Sequence, residues 1–221
     1  MSILISDEFI ADKDTALFEI MVKDISSKGY SIHPNALPTD LLFKLSEHLQ
    51  VMPSSTFKRA GVGRNNDHTI NNFVRTDEIF WIEGDTEVES KWLCWAQSLQ
   101  KYINRHLFLN LSSFESHFSH YAEGDFYKKH KDAFKGESNR VLSMVVYLNS
   151  GWMNEDGGEL VIYTGKSNQD AVKVIPGYGT IVLFLSEEFL HEVLPAKRDR
   201  FSIAGWFRVN DFRVDNQRGR P

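Results

Sequence analysis

The sequence has a single cysteine, Cys94, so it can form no intramolecular disulfide, and nothing in it points to an oxidising compartment. No stretch approaches the roughly 18 uninterrupted apolar residues of a membrane-spanning helix. Residues Met1 to Glu8 contain neither a basic segment nor an apolar run long enough for a secretory leader. Basic residues are outnumbered, 25 Lys and Arg against 30 Asp and Glu, and the net charge of −5 gives no general attraction to nucleic acid. The 6 prolines and 14 glycines are scattered as turn punctuation rather than gathered into a linker, and no internal repeat is visible. These absences give the expectation of a soluble, cytoplasmic protein with neither a membrane nor a nucleic acid as partner.

What is present describes an ordinary globular chain: 221 residues, 42% hydrophobic, with 16 phenylalanines suggesting an aromatic core. The length suits one domain. Its first half reads as mainly helical. Residues 14–27 place Leu17, Ile20, Met21 and Ile25 at three- and four-residue spacings, with Gly29 as a stop. A second helix begins near Pro38-Thr39-Asp40 and carries Leu41, Leu42, Leu45 and Leu49. A third spans 87–107 with Trp92, Trp95, Leu99, Tyr102 and Ile103 on one face, and Cys94 is expected to be buried within it. Between the second and third lies the polar stretch 58–72, containing Arg59, Gly61, Gly63 and Arg64. Loops this long within a compact domain are often functional, which makes this one a candidate for substrate contact.

From residue 116 the pattern changes to short strands separated by turns, at 117–121, 127–130, 141–148, 159–163, 171–175, 180–185, 191–194 and 201–209. Eight such strands fit a double-sheet jelly roll. The expected fold is therefore mainly β with supporting helices, an α+β arrangement in which N-terminal helices pack on one sheet of a double-stranded β-helix. Residues 1–115 would provide helical support and the loop, 116–209 the catalytic core, and 210–221 a solvated tail.

Side chains alternate across a strand, so His130 and Asp132 are expected to share a face and could grip one metal ion. Alone, a His-x-Asp pair is weak evidence. A second cluster, Phe189-Leu190-His191-Glu192-Val193-Leu194-Pro195, could add a third ligand, His191. Two imidazoles and one carboxylate on one face of an octahedral ion leave positions for a chelating co-substrate and dioxygen, the arrangement of non-haem Fe(II) oxygenases. Nine residues after His191 stands Arg200, ahead of Phe201-Ser202-Ile203-Ala204-Gly205-Trp206-Phe207, and a guanidinium in an aromatic pocket suits a carboxylate. An ordinary ion pair with Asp199 is the plainer alternative.

These pieces together resemble the prolyl hydroxylase branch of the Fe(II)/2-oxoglutarate oxygenases, which includes animal oxygen-sensing enzymes and their bacterial relatives. The resemblance rests on Tyr121-Ala122-Glu123-Gly124-Asp125-Phe126-Tyr127-Lys128-Lys129-His130-Lys131-Asp132, Tyr147-Leu148-Asn149, Gly157-Gly158-Glu159-Leu160 and His191-Glu192-Val193-Leu194-Pro195-Ala196, then Arg200 and Trp206. Upstream, Val74-Arg75-Thr76-Asp77-Glu78-Ile79-Phe80-Trp81-Ile82-Glu83-Gly84 looks like the segment following that family's substrate-covering loop.

The resemblance implies iron on His130, Asp132 and His191. It also implies the distal carboxylate of 2-oxoglutarate on Arg200 with help from Tyr147, and Tyr121 and Trp206 lining the pocket. Arg140 would lie near the mouth, and Arg59, Arg64, Arg75 and Asp77 are further candidates for substrate contact. A position before Trp206 that carries a hydroxyl in the family is Ala204 here, so that contact is expected to be absent. The implied cofactors are Fe(II), 2-oxoglutarate and O2, with ascorbate as a reductant. The implied activity is trans-4-hydroxylation of a prolyl residue in a protein, and because bacterial members act on elongation factor Tu, that protein is the first candidate partner.

Two alternatives remain at this stage: a related hydroxylase of a free amino acid, lysyl residue or small metabolite, and a non-catalytic metal or ligand sensor. Nucleic-acid demethylation is disfavoured because that pattern wants a second arginine six residues after the first, where Trp206 stands. His117 and His120 read as packing or hydrogen-bonding groups, and His33, His48, His68 and His106 lack ligand-like spacing.

Overall fold

A computed structural model of the chain describes residues 12–61, 73–133, 139–165 and 170–210. Its helices are α1 (Asp12–Lys28), α2 (Thr39–Val51) and α3 (Glu87–Leu107). The strands are β1 (Tyr30–His33), β2 (Lys58–Arg59), β3 (Glu78–Trp81), β4 (Ser113–Tyr121), β5 (Tyr127–His130), β6 (Arg140–Tyr147), β7 (Leu160–Tyr163), β8 (Ala171–Val174), β9 (Ile181–Leu185), β10 (Leu190–Val193) and β11 (Arg200–Arg208). All strand pairing is antiparallel, in a seven-stranded sheet of order β1-β9-β6-β11-β4-β3-β2 and a four-stranded sheet of order β5-β10-β7-β8. Strands β4 to β11 supply four neighbours to each sheet, the double-stranded β-helix expected from the strand spacing.

Side-chain alternation divides the larger sheet into two chemically different faces. Phe118, Leu142, Met144, Val146, Ile203 and Phe207 point to one side and pack with Phe18, Met21, Leu45, Trp92, Leu99 and Ile103 of the helices. Tyr121, Tyr147, Val182 and Phe184 point to the other and close a smaller core with Leu160, Ile162, Val174 and Val193 of the four-stranded sheet. The site lies on this second side. Helix α3 is fixed at both ends: the Thr86 hydroxyl accepts from the Glu89 amide at 3.3 Å, and Phe108 takes the left-handed conformation (φ 55°) that closes the last turn. The Trp92 indole donates to the Ser116 hydroxyl at 3.0 Å and so ties α3 to β4.

Three readings of the sequence change. Strands β1, β2 and β3 come from the half expected to be mainly helical; at four, two and four residues they are too short to show a period, and sheet pairing holds them. On α1, Phe18 rather than Ile20 faces the core, with Phe18 fully buried and Ile20 half exposed. Cys94 is exposed rather than buried, because the turn of α3 that buries Trp92 and Trp95 points the residue between them outward. The tail at 211–221 and residues 62–72, which include Arg64, lie outside the described residues. Among the described residues, no helix is long and apolar enough to cross a membrane.

Trp92→Ala should lower unfolding free energy by about 3–5 kcal/mol. Cys94→Ala, on the exposed face of the same helix, should change it by less than about 0.5 kcal/mol. Urea titration of the two variants checks both.

Candidate metal centre and active site

Strand β10 alternates exposed and buried residues, which turns His191 inward with Val193. Its antiparallel partner β5 places His130 directly opposite, and the two imidazole centroids lie 4.2 Å apart. The register shifts between His191 and Val193, with one extra residue on β5. Such a bulge re-aims side chains, and here it allows Tyr127 to stack on His130 at 3.5 Å although the two are three residues apart. Asp132 lies beyond the end of β5, so its approach comes from the following bend rather than from the strand alternation expected. Its Oδ1 sits 3.5 Å from His130 Nε2 and 3.6 Å from His191 Nε2.

The orientation of each donor is set by a second contact. His130 Nδ1 donates to the Lys128 carbonyl at 2.7 Å and His191 Nδ1 to the Phe189 carbonyl at 3.1 Å, which leaves both Nε2 lone pairs directed at the shared space. Asp132 Oδ2 accepts from the Ser143 hydroxyl at 2.6 Å, and Ser143 is itself 2.9 Å from Ser186. Burial alone would raise the Asp132 carboxyl. The facing imidazoles of His191 and His130 and the hydrogen bond from Ser143 outweigh it and hold the group well below the usual carboxylate range. Burial pushes the His191 imidazole down to about 4 against the opposing pull of Asp132. The set is thus a carboxylate facing a neutral imidazole, the protonation a divalent cation requires. Among the described residues this is the one His, Cys, Asp and Glu group whose ligand atoms, all within 4.8 Å, could share an ion. Two imidazoles and one carboxylate fit Fe(II) and leave further coordination positions open.

Arg200 opens β11 and is 1% exposed. Its guanidinium lies 4.9 Å from the Tyr121 ring and 5.0 Å from the Tyr147 ring. Nε donates to the Gly158 carbonyl at 2.9 Å, and Nη1 approaches the Ser202 hydroxyl at 3.4 Å. No carboxylate pairs with it among the described residues, so the surface ion pair with Asp199 is not formed; Asp199 instead lies 2.9 Å from His120. The fully buried Tyr147 hydroxyl makes no hydrogen bond among the described residues either. Burial pushes that hydroxyl up, with Arg200 opposing, so it stays a neutral donor. A buried cation beside an orphaned hydroxyl fits an incoming carboxylate such as that of 2-oxoglutarate. Gly158 makes the close approach possible: with φ at +68°, a Cβ there would stand 3.1 Å from Arg200 Cδ and 3.0 Å from Ala196 Cβ.

The remaining sequence candidates have definite places. Arg140 lies over the Trp206 ring at 3.7 Å and donates to Glu115. Arg75 grips buried Asp77 through two hydrogen bonds of 2.7 and 2.6 Å while covering the Tyr127 ring at 4.4 Å, so this pair is engaged internally. Arg59 is half exposed, donates to the Thr76 carbonyl and lies 4.0 Å from Glu78. Ala204 offers no hydroxyl, and the Ser202 hydroxyl lies 3.4 Å from Arg200 Nη1. Ser143 escaped the sequence reading, and Tyr127, Gly158 and Ser202 stood in its motifs without an assigned role. Period-two counting could have found two of them, since Ser143 shares a face with Tyr147 and Ser202 shares one with Arg200.

A facial set of two imidazoles and a carboxylate, with a buried carboxylate-binding pocket on a double-stranded β-helix, defines the class of non-haem iron oxygenases. Residues 116–208 match the model of the 2OG-Fe(II) oxygenase superfamily. A Pseudomonas putida prolyl-4-hydroxylase is 36% identical, with a TM-score of 0.78 over 87% of this chain and 99% of that one. A Trichoplax adhaerens prolyl hydroxylase, solved with a hypoxia inducible factor peptide fragment, is 27% identical, with a TM-score of 0.77 over 89% and 90% of the two chains. A viral collagen prolyl hydroxylase from Paramecium Bursaria Chlorella virus-1, at 18% identity and a TM-score of 0.58 over 84% and 98%, shares the fold alone. The chain belongs to the 2OG-Fe(II) oxygenase superfamily and has a prolyl-4-hydroxylase-like fold. It is a 2-oxoglutarate-dependent dioxygenase that uses Fe(II), 2-oxoglutarate and O2.

Two buried imidazoles make the metal-free protein sensitive to acid. Burial and the charges of Arg75 and Arg140 bring His117 down to about 4 against the pull of Asp77, and His191 is at about 4 as well, against an ordinary 6.5. The unfolded chain then binds more protons than the folded one between these values, so stability falls as pH drops from 6.5 toward 4 and levels off below. The loss should reach about 3 kcal/mol for each group, read from melting temperatures of the chelator-treated protein; a flat profile would mean both rings protonate in place. Ser143→Ala should weaken metal affinity by about 10- to 100-fold, measured by titration with Fe(II) under anaerobic conditions.

Proposed function

We propose that this enzyme performs trans-4-hydroxylation of a prolyl residue within a protein, in the cytoplasm, with elongation factor Tu as the first partner to test. The observation that carries the reading is Arg200, a buried guanidinium that has no carboxylate partner among the described residues and lies beside a Tyr147 hydroxyl with no hydrogen-bond partner among them, on the same sheet face as the Asp132 partner Ser143. In this reading His130, Asp132 and His191 hold the iron. Arg200, Tyr147 and Ser202 bind the distal carboxylate of 2-oxoglutarate, with Tyr121 against the guanidinium.

Bound there, iron with 2-oxoglutarate and dioxygen supplies the oxidation of an unactivated C–H bond, with succinate and carbon dioxide as by-products. The chain supplies orientation and exclusion of water. The Nδ1 contacts of both histidines fix their rings, Ser143 fixes the carboxylate, and the aromatic walls keep the Arg200 pocket dry. Trp206 and Arg140 would form the substrate side of the pocket, with Arg59 at its exposed edge. Arg75 acts from behind, bracing Tyr127 and through it His130.

The prolyl substrate is supported by the 36% identity to the Pseudomonas putida prolyl-4-hydroxylase over nearly all of that chain, and by the substrate peptide in the Trichoplax relative. Incubating elongation factor Tu with the protein, Fe(II), 2-oxoglutarate and air should add one oxygen to a specific proline, read by mass spectrometry, and Asp132→Ala should abolish it. Succinate release without a modified proline in this or any other protein would sink the prolyl reading and leave the oxygenase activity standing.

A further inference from the structure

A row of side chains crosses four adjacent strands on the site-facing side of the larger sheet: Trp81 on β3, His117 on β4, Trp206 on β11 and Arg140 on β6. Trp81 and His117 are register partners whose rings meet edge-on at 5.1 Å. The His117 ring lies 5.4 Å from that of Trp206, which in turn carries the Arg140 guanidinium at 3.7 Å. Trp206 is also the register partner of Ser143, the residue that donates to Asp132, so the row forms a wall of the metal site.

Two polar atoms of this wall have no partner among the described residues. Trp206 Nε1 is buried and makes no hydrogen bond. His117, 3% exposed, uses only Nδ1, which lies 3.2 Å from the Phe118 carbonyl and 3.0 Å from the Ser119 hydroxyl. A carbonyl can only accept, so Nδ1 carries the hydrogen and Nε2 is left as a free acceptor. The wall therefore holds one unused donor and one unused acceptor side by side. Leaving the buried Trp206 donor unpaired is costly, and a ligand that accepts from it while donating to His117 relieves that cost.

A peptide unit presents that complement, one carbonyl and one N–H, whereas a free amino acid presents an ammonium and a carboxylate. A prolyl residue has no N–H of its own, so the nearest amide hydrogen in its chain is that of the residue that follows. We infer that His117 is a specificity-determining residue whose Nε2 accepts the amide N–H of the residue after the target proline, with Trp206 Nε1 donating to a neighbouring carbonyl. The inference rests on the prolyl reading above.

The test uses full-length enzyme and a synthetic peptide spanning the proline found modified in elongation factor Tu. A second version of the peptide has an ester in place of the amide after that proline, which removes the N–H with little change of shape. With wild type, the ester should raise KM roughly tenfold and leave kcat within about twofold. His117→Phe, which keeps an aromatic ring, should raise KM for the amide roughly tenfold and treat amide and ester alike. His117→Gln, which retains an acceptor, should recover part of the discrimination; its recovery separates loss of the hydrogen bond from misfolding. Equal discrimination in wild type and His117→Phe overturns this inference alone. Absence of any modified proline with wild type overturns the prolyl reading and this inference together.

Discussion

The constraint on which the site depends is a positive charge placed where water cannot reach it. A guanidinium keeps its charge wherever it is put, and removing it from water costs on the order of several kcal/mol even after relaxation. The fold offsets that cost around Arg200 only in part, through the Gly158 carbonyl, the Ser202 hydroxyl and two tyrosine rings. Each of these needs the others in place. Gly158 must lack a side chain for the arginine stem to pass, and the β6–β11 register must set Tyr147 opposite Ser202. What remains unbalanced is one positive charge, and a carboxylate of the co-substrate brings the negative charge to match it.

The metal-binding group solves the opposite electrostatic problem. Here a buried carboxylate is stabilised before any metal arrives, by two imidazoles and a serine hydroxyl, while burial keeps the His191 imidazole neutral. Carbonyls behind each imidazole decide which nitrogen faces inward. The sheet pairing of β5 with β10 therefore presents donors already in the orientation that Fe(II) takes, with Asp132 ionised and His191 neutral, so little reorganisation is left for binding.

A third wall runs from Trp81 through His117 and Trp206 to Arg140. It is aromatic enough to exclude water and still holds unpaired polar atoms. The neutral imidazole adds an acceptor beside the Trp206 donor, while Arg140 is engaged by Glu115.

The strand periodicity and the residue types of His130, Asp132, His191 and Arg200 were legible in the sequence, because alternation and donor chemistry are local properties. The three helices were legible for the same reason. What tertiary structure decided is where distant segments meet. Strand β1 exists through its pairing with β9, and Asp132 reaches the imidazoles through a bend after β5. Ser143 and Ser202 matter because the sheet register sets them against Asp132 and Arg200. That Arg75 is engaged by Asp77, and that Cys94 faces outward, likewise depended on packing between elements. A sequence fixes the period and chemistry of each segment. The register, bulges and burial that turn those segments into a site come from contacts between residues far apart in the chain, and no local pattern encodes them.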